Sequence, residues 1–338
     1  MPHDSEGNIF HGRSSSDFVE TTFEQVIENY IKYYADGSGH TARAKRVDLR
    51  HFLKFLQRLY GYGTISKVRI SDWDHSAVQQ FVDYCLERGE APSTVSRRLA
   101  TIKHMGRTLS EKIAGFTNPA KEIKSPRIPT LKPKGLAPEE IQEIRERAEQ
   151  RFQEKKSFAR FRNETLFLFL LETGLRADEV RLMRLSQLGP DLSWIRQVRT
   201  KGRRFRNVYI PTRMRDRLIL YLEARKEELS RFYPKLTVSD DKKLPLFVSS
   251  YGAVPSDPES FLMGAKSIWR AINELSAEVH LHPHLLRHSF ALGLLDNSQD
   301  IRLVAQALGH SDVRITMRYT ERYEEDIARA VEGSKGGK

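Results

Sequence analysis

Three short segments carry side chains whose types and order suit chemistry at a phosphate. They are TGLRADEV at 173–180, HPHLLRHSF at 282–290 and LGHSDVRITMRYT at 308–320. Guanidiniums bind phosphate oxygens through forked hydrogen bonds, imidazoles move protons near neutral pH, and a tyrosine phenol can act as a nucleophile. Singly, each segment is commonplace. A Gly-Leu-Arg triplet recurs widely, and His-x-x-Arg often marks a surface helix turn. A fourth stretch joins them: between 196 and 206 lie Arg196, Arg199, Lys201, Arg203, Arg204 and Arg206, with no acid among them. Solvated faces usually mix signs, so eleven residues of one sign are better explained by nearby phosphates.

The whole chain points the same way. Its 338 residues suit two domains, and 39% hydrophobic against 30% charged residues describes a globular protein. Fifty-six Lys and Arg against 44 Asp and Glu leave a net charge of +12, which favours a polyanionic partner, nucleic acid being the commonest large one. The lone cysteine, Cys85, excludes a disulfide framework and a thiolate zinc cluster, and fits a reducing compartment. The opening stretch carries acids and lacks an apolar core, so no signal peptide is expected there. The longest apolar run, 166–171, falls far short of the roughly 20 residues of a membrane helix. The expectation is a cytoplasmic, nucleoid-associated protein with no membrane partner.

Periodicity supplies the elements that must position these residues. Residues 1–20 read as a polar, flexible tail, too short for an additional folded domain. A helix opens at Thr21 or Thr22, each followed three residues later by the capping-box partner Glu24 or Gln25. Its apolar face is Phe23, Val26, Ile27, Tyr30, Ile31 and Tyr34. Further helices are expected over 41–60, with Val47, Phe52, Phe55, Leu56 and Leu59 buried, and over 74–88 and 93–109. This makes 21–118 a small helical bundle. Arg43, Lys45, Arg46 and Arg50 on its second helix, and Arg97, Arg98 and Lys103 on its fourth, are candidates for a DNA groove. Residues 119–137 hold four prolines and include Lys132 and Lys134, a basic, semi-rigid linker at the domain boundary. From 138 to 320, helices are expected from Pro138 and over 160–172, 177–185, 214–228, 260–275 and 285–295. Strands at 194–198 and 205–210 form a β-hairpin with a basic tip.

In order and spacing, Arg176, Lys201, His284, Arg287, His310 and Tyr319 resemble the six active-site residues of the tyrosine recombinases, the phage-integrase family, in its simple Xer-like form. Glu179, three residues after Arg176, matches the acid the family places there. The resemblance runs throughout the second region and, more loosely, through STVSRRLATIKH in the first. It implies a mainly α fold in which a helical core-binding domain and a mixed α/β catalytic domain with a small antiparallel sheet clamp DNA. It further implies site-specific cleavage and rejoining through a covalent 3′-phosphotyrosyl bond, with strand exchange via a Holliday junction. The partners implied are double-stranded DNA with paired inverted half-sites and a homotetramer on two synapsed sites, a dimer on each.

Physical chemistry makes that assignment coherent. Arg176 and Arg287 would meet the non-bridging oxygens of a five-coordinate phosphorus, Tyr319 would attack, and Lys201 would protonate the leaving 5′ oxygen. His284 and His310 would hydrogen-bond the phosphate, with His284 the proton partner of Tyr319, while Glu179 would orient His284 or Arg176. Arg203 and Arg204 would add DNA contacts at the hairpin tip. The phosphotyrosyl bond conserves the energy of the cut, so neither ATP, a metal nor another cofactor is expected. His284 and His288 have zinc-ligand spacing, yet no third ligand follows and Arg287 would repel a cation. Tyr323 competes as nucleophile, but Tyr323, Ile327 and Val331 read as the packing stripe of a C-terminal helix over 321–338, which docks either on its own catalytic domain or, as the resemblance implies, on a neighbouring protomer. A type IB topoisomerase or a non-recombining DNA-binding protein of the same fold are the alternatives.

Overall fold

Thr22 caps the first helix, α1 (Phe23–Tyr33): its hydroxyl accepts from the Gln25 backbone N–H at 3.3 Å and bonds the Gln25 side chain at 2.9 Å. The computed structural model describes residues 8–10, 18, 21–35, 39–128, 135–200, 204–255, 257–310, 312–317 and 319–320. They fall into two compact units, Met1–Thr130 and Leu131–Lys338.

The first unit is a helical bundle of α1, α2 (Gly39–Leu59), α3 (His75–Glu87) and α4 (Pro92–Lys112). The apolar stripe of α1 is buried from Phe23 to Ile31, with Tyr34 packed at its edge. In α2 the inward positions are Leu49, Phe52, Leu53 and Leu56, the i, i+3, i+4, i+7 set. Val47, expected inside, is 49% exposed because it lies two residues, about 200°, from Leu49 on the wheel. The polar opening stretch is not a bare tail either. Phe10 and Phe18 are fully buried; their rings meet edge-on at 5.7 Å, Phe10 stacks on Tyr34 and Phe18 meets Phe116.

The second unit is built on α6 (Phe158–Thr173), whose Leu166, Phe167, Phe169 and Leu170 are completely buried. Around it pack α5 (Pro138–Glu154), α8 (Thr212–Ser230), α10 (Ala265–Asn273) and α11 (Pro283–Ser298). Between them come α7 (Ala177–Arg181), the antiparallel hairpin β1 (Trp194–Arg199) and β2 (Phe205–Tyr209), and the one-turn α9 (Val238–Asp241). The hairpin pairs Trp194 with Tyr209 and Arg199 with Phe205, with a register shift between Ile195 and Val198. Two helices differ from expectation. The one at 177–185 stops at Arg181, and the one at 260–275 divides into a 3-10 turn, Pro258–Phe261, and α10, with Gly264 between them. Beyond α11 lie α12 (Ile301–Leu308), capped by Asp300, and the single turn α13 (Arg314–Met317). No described helix is long and apolar enough to cross a membrane.

Candidate active site

Gly174 ends α6 in the left-handed conformation, φ 61°, so the chain turns sharply and Arg176 becomes the N-cap of α7. One turn on, Glu179 folds back. It accepts from the Arg176 backbone N–H and from the Arg176 guanidinium, both at 2.9 Å. The same carboxylate takes a bidentate pair from Arg206 on β2, at 2.9 Å each. Glu179 therefore orients Arg176 and ties it to the hairpin. Burial alone would raise the Glu179 carboxyl, but the hydrogen bonds and charges of Arg206 and Arg176 overcome it and hold the acid below its usual range.

Arg287, in the second turn of α11, is only 4% exposed. Its guanidinium donates to the carbonyls of Gly174 and Leu308, each at 2.6 Å, and lies 3.2 Å from His310 Nε2. Burial, then the charge of Arg176, pushes it down to about 9, against the pull of Glu179 and Tyr319. It is thus still cationic at neutral pH and short of a counter-charge, which an incoming phosphate would supply. His310 Nδ1 is 2.8 Å from the Thr316 hydroxyl, which anchors the imidazole. Tyr319 is 6% exposed, packed with Ala291, Leu295, Val304 and Leu308. Its hydroxyl is 2.6 Å from His288 Nδ1.

The structure thus brings Arg176, Arg287, His310 and Tyr319 into one network with Glu179. His284 lies exposed in the first turn of α11, one turn before His288. The proton partner expected for Tyr319 is His284; His288 Nδ1 lies 2.6 Å from the Tyr319 hydroxyl. Lys201 and Arg203 lie outside the described residues; the ends of their hairpin tip are joined by the Thr200 backbone N–H donating to the Arg204 carbonyl at 2.8 Å, and Arg204 is exposed. Lys132 and Lys134 also lie outside the described residues, as does the tail at 321–338.

In the helical unit, Arg43 and Arg50 are exposed and Lys45, Arg46 and Lys103 half-buried. Arg46 and Arg50 both pair with Glu28, and Lys45 lies over the Tyr30 ring. Arg97, exposed, reaches the buried Asp48, which also accepts from Thr101 and so pins α2 to α4. Arg98 departs from its expected role. It is 8% exposed, with its guanidinium on Glu90 at 2.8 Å and on Cys85 Sγ, a position from which it cannot face a groove. Its position on the inner face of α4, next to buried Leu99, is the reason.

A family model, the phage integrase family, matches residues 134–326, more than half of the chain, and the family's N-terminal SAM-like domain matches 27–112. The chain belongs to the phage integrase family. Similar members include tyrosine recombinase XerD of Staphylococcus saprophyticus, 28% identical over 306 residues that span 88% of this chain and 94% of XerD. Tyrosine recombinase XerC of Halalkalibacterium halodurans is 27% identical, covering 86% and 89%. In fold the integrase resembles XerH site-specific recombinase bound to difH substrate, with a TM-score of 0.63 at 19% identity, covering 91% of this chain and 84% of XerH. The Tn1549 transposon integrase in complex with transposon right end DNA gives 0.63 at 17%, covering 94% and 100%. Two residues of this integrase site escaped the sequence reading. Arg206 was visible only as one of six basic residues, and His288 only as a possible zinc partner of His284. Neither carries a local signal for its contact, because both partners come from elsewhere in the chain.

Proposed function

We propose that this integrase is a site-specific DNA recombinase that cleaves and rejoins strands through a 3′-phosphotyrosyl bond, with exchange through a Holliday junction. One observation carries the reading: a buried, under-neutralised Arg287 lies in the same network as a tyrosine hydroxyl already bonded to an imidazole. Arg287 and the Glu179-oriented Arg176 offer forked donors to the non-bridging oxygens of the scissile phosphate. Fixed donors of this kind in a dry site are each worth about 10²–10³ in rate. Tyr319 attacks phosphorus, and Lys201 protonates the departing 5′ oxygen. The charge that a divalent ion would bring is supplied by arginine, and the covalent bond retains the energy for religation, so the reaction runs without metal or ATP.

The helical unit, 21–118, serves as the core-binding domain, with Arg43, Lys45, Arg46, Arg50, Arg97 and Lys103 on its DNA side. Lys132 and Lys134 in the linker 119–137, with Arg203 and Arg204 at the hairpin tip, add phosphate contacts around the catalytic domain, 138–320. The working assembly is a dimer on paired inverted half-sites and a tetramer on two synapsed sites, in the cytoplasm. A groove of about 1010 Å³ beside Tyr319, lined by Leu136, Ile141, Leu171, Phe290 and Leu292 among others, supports docking of an apolar helix from a neighbouring copy.

Sequencing DNA recovered covalently attached to the protein would identify the site. A nicked suicide substrate carrying that site should then trap a covalent band with the wild type in EDTA, and none with Tyr319→Phe, which still binds. Trapping by the variant would move the nucleophile elsewhere, for instance to Tyr323. Restoration of an EDTA-dead enzyme by Mg²⁺ or Zn²⁺ would refute the metal-free mechanism. Relaxation of any supercoiled plasmid, with no demand for a site, would make it a topoisomerase instead.

A further inference from the structure

We propose that His288, through Nδ1, takes the phenolic proton of Tyr319 as that oxygen attacks the DNA phosphate. This rests on the strand-transfer reading above and assigns one step within it. A phenol with an ordinary pKa near 10 attacks slowly at neutral pH unless a base removes its proton in the transition state. The base must reach the oxygen, and His288 Nδ1 lies 2.6 Å from it. The contact joins two buried or half-buried groups: Tyr319 sits in an apolar cluster, and the two rings lie 5.6 Å apart, centroid to centroid.

The other histidine of the network is committed. Arginine can only donate, so His310 Nε2, 3.2 Å from Arg287 Nη2, accepts with its lone pair. Its hydrogen is then on Nδ1 and directed at the Thr316 hydroxyl, 2.8 Å away. That tautomer has no lone pair left for the phenol. His284 is exposed one turn before His288, where it would bond a phosphate oxygen. Tyr319 is close enough to raise the proton affinity of the Arg287 guanidinium.

The protons balance. With the imidazole neutral and its hydrogen on Nε2, Tyr319 donates to Nδ1; the new O–P bond forms as the P–O5′ bond breaks, and Lys201 gives its proton to the 5′ oxygen. In religation the 5′ hydroxyl attacks, Lys201 recovers its proton, and the imidazolium returns the other to the departing phenolate. The groups around the pair are Arg287 and His284 on α11, His310 after α12, Arg176 and Glu179 on α7, Arg206 on β2 and, lining the groove beside Tyr319, Glu140, Arg145, Glu172, Arg213 and Asp296. The step starts from a neutral His288, which carries the phenolic proton until religation returns it.

Single-turnover cleavage of the suicide substrate between pH 6 and 8.5, with DNA affinity measured in parallel, tests this. The wild-type rate should rise through the imidazole range and level off. His288→Ala should bind DNA normally, cleave about 10²–10⁴-fold more slowly at pH 7, and recover about tenfold per pH unit as hydroxide ionises the phenol. His288→Asn, which retains a hydrogen-bonding oxygen but cannot carry a proton, should stay slow while melting like wild type. A His288→Asn rate within about threefold of wild type would reduce the residue to positioning and overturn the proposal, as would a pH-independent deficit in His288→Ala. So would a pH-dependent deficit found in His284→Ala alone. Absence of any wild-type adduct would sink the strand-transfer reading itself, and this step with it.

Discussion

Glu179 touches no reacting atom in the scheme above, yet two guanidiniums depend on it. Its side chain is 5% exposed and that of Arg206 9%, so the pair is buried on both sides. Removing one partner of a buried ion pair leaves an uncompensated charge and costs about 3–5 kcal/mol. Glu179→Gln should therefore destabilise the catalytic unit by roughly that amount at pH 7, and cleavage should collapse because Arg176 is no longer aimed. The sign of the pH dependence follows from the lowered carboxyl. A depressed acid contributes its full stability above its unfolded pKa, about 4.3, and loses it as pH falls through the folded value. Denaturation at pH 7 and again near pH 3 should show the wild-type advantage over Glu179→Gln shrinking in acid. An undiminished gap would mean that packing, not charge, is what the variant lost.

At the scale of elements, the turn from α6 into α7 sets the geometry of the arginines. Gly174 stands at φ 61°, and a Cβ there would lie 2.2 Å from the Phe290 ring on α11. The same residue offers its carbonyl to Arg287. An added methyl thus meets both a backbone penalty and a rigid ring. Gly174→Ala should cost roughly 2–4 kcal/mol from left-handed strain and overpacking together, and should slow cleavage by displacing the Arg287 acceptor. Thermal melting of this variant beside Gly174→Ala/Phe290→Leu gives the check: the second change should return part of the stability by clearing the ring. A single variant that melts like wild type would show that α11 yields at this contact. The following residues of α11 serve both halves of the site, since Arg287 and His288, about 100° apart on the helix, face different partners.

At the scale of the whole molecule, a net charge of +12 suits a polyanionic partner. The proposed coupling between protomers rests on the C-terminal segment, 321–338, which carries Tyr323, Ile327 and Val331 at helical spacing. A helix of about a dozen residues is marginal alone and needs a surface. Exchange of one identical element around a ring would couple the active sites. Truncation before Tyr323 should leave binding to a single site nearly intact and abolish tetrameric synapsis of paired sites, as read by light scattering. Unchanged synapsis would place the segment on its own protomer.

Much of this was legible along the chain, and what was not shares one physical cause. The Thr22 cap, the stripe of α1, the buried run in α6 and the hairpin around a basic tip are local patterns, set by periodicity and by the hydrogen bonding of nearby groups. Membership of a family was legible too, because the motif residues keep their order whatever their distance in space. Burial of a charge was not. Arg98 and Arg206 look like any surface arginine in sequence, and only the packing of α4 against Glu90, or of β2 against α7, takes them out of water. Phe10 and Phe18 were hidden in the same way, since an isolated aromatic has no period. The sequence named Tyr319 and several histidines that could serve it. Only the tertiary structure, by spending both nitrogens of His310 and setting His288 against the phenol, decided which imidazole stands at the oxygen.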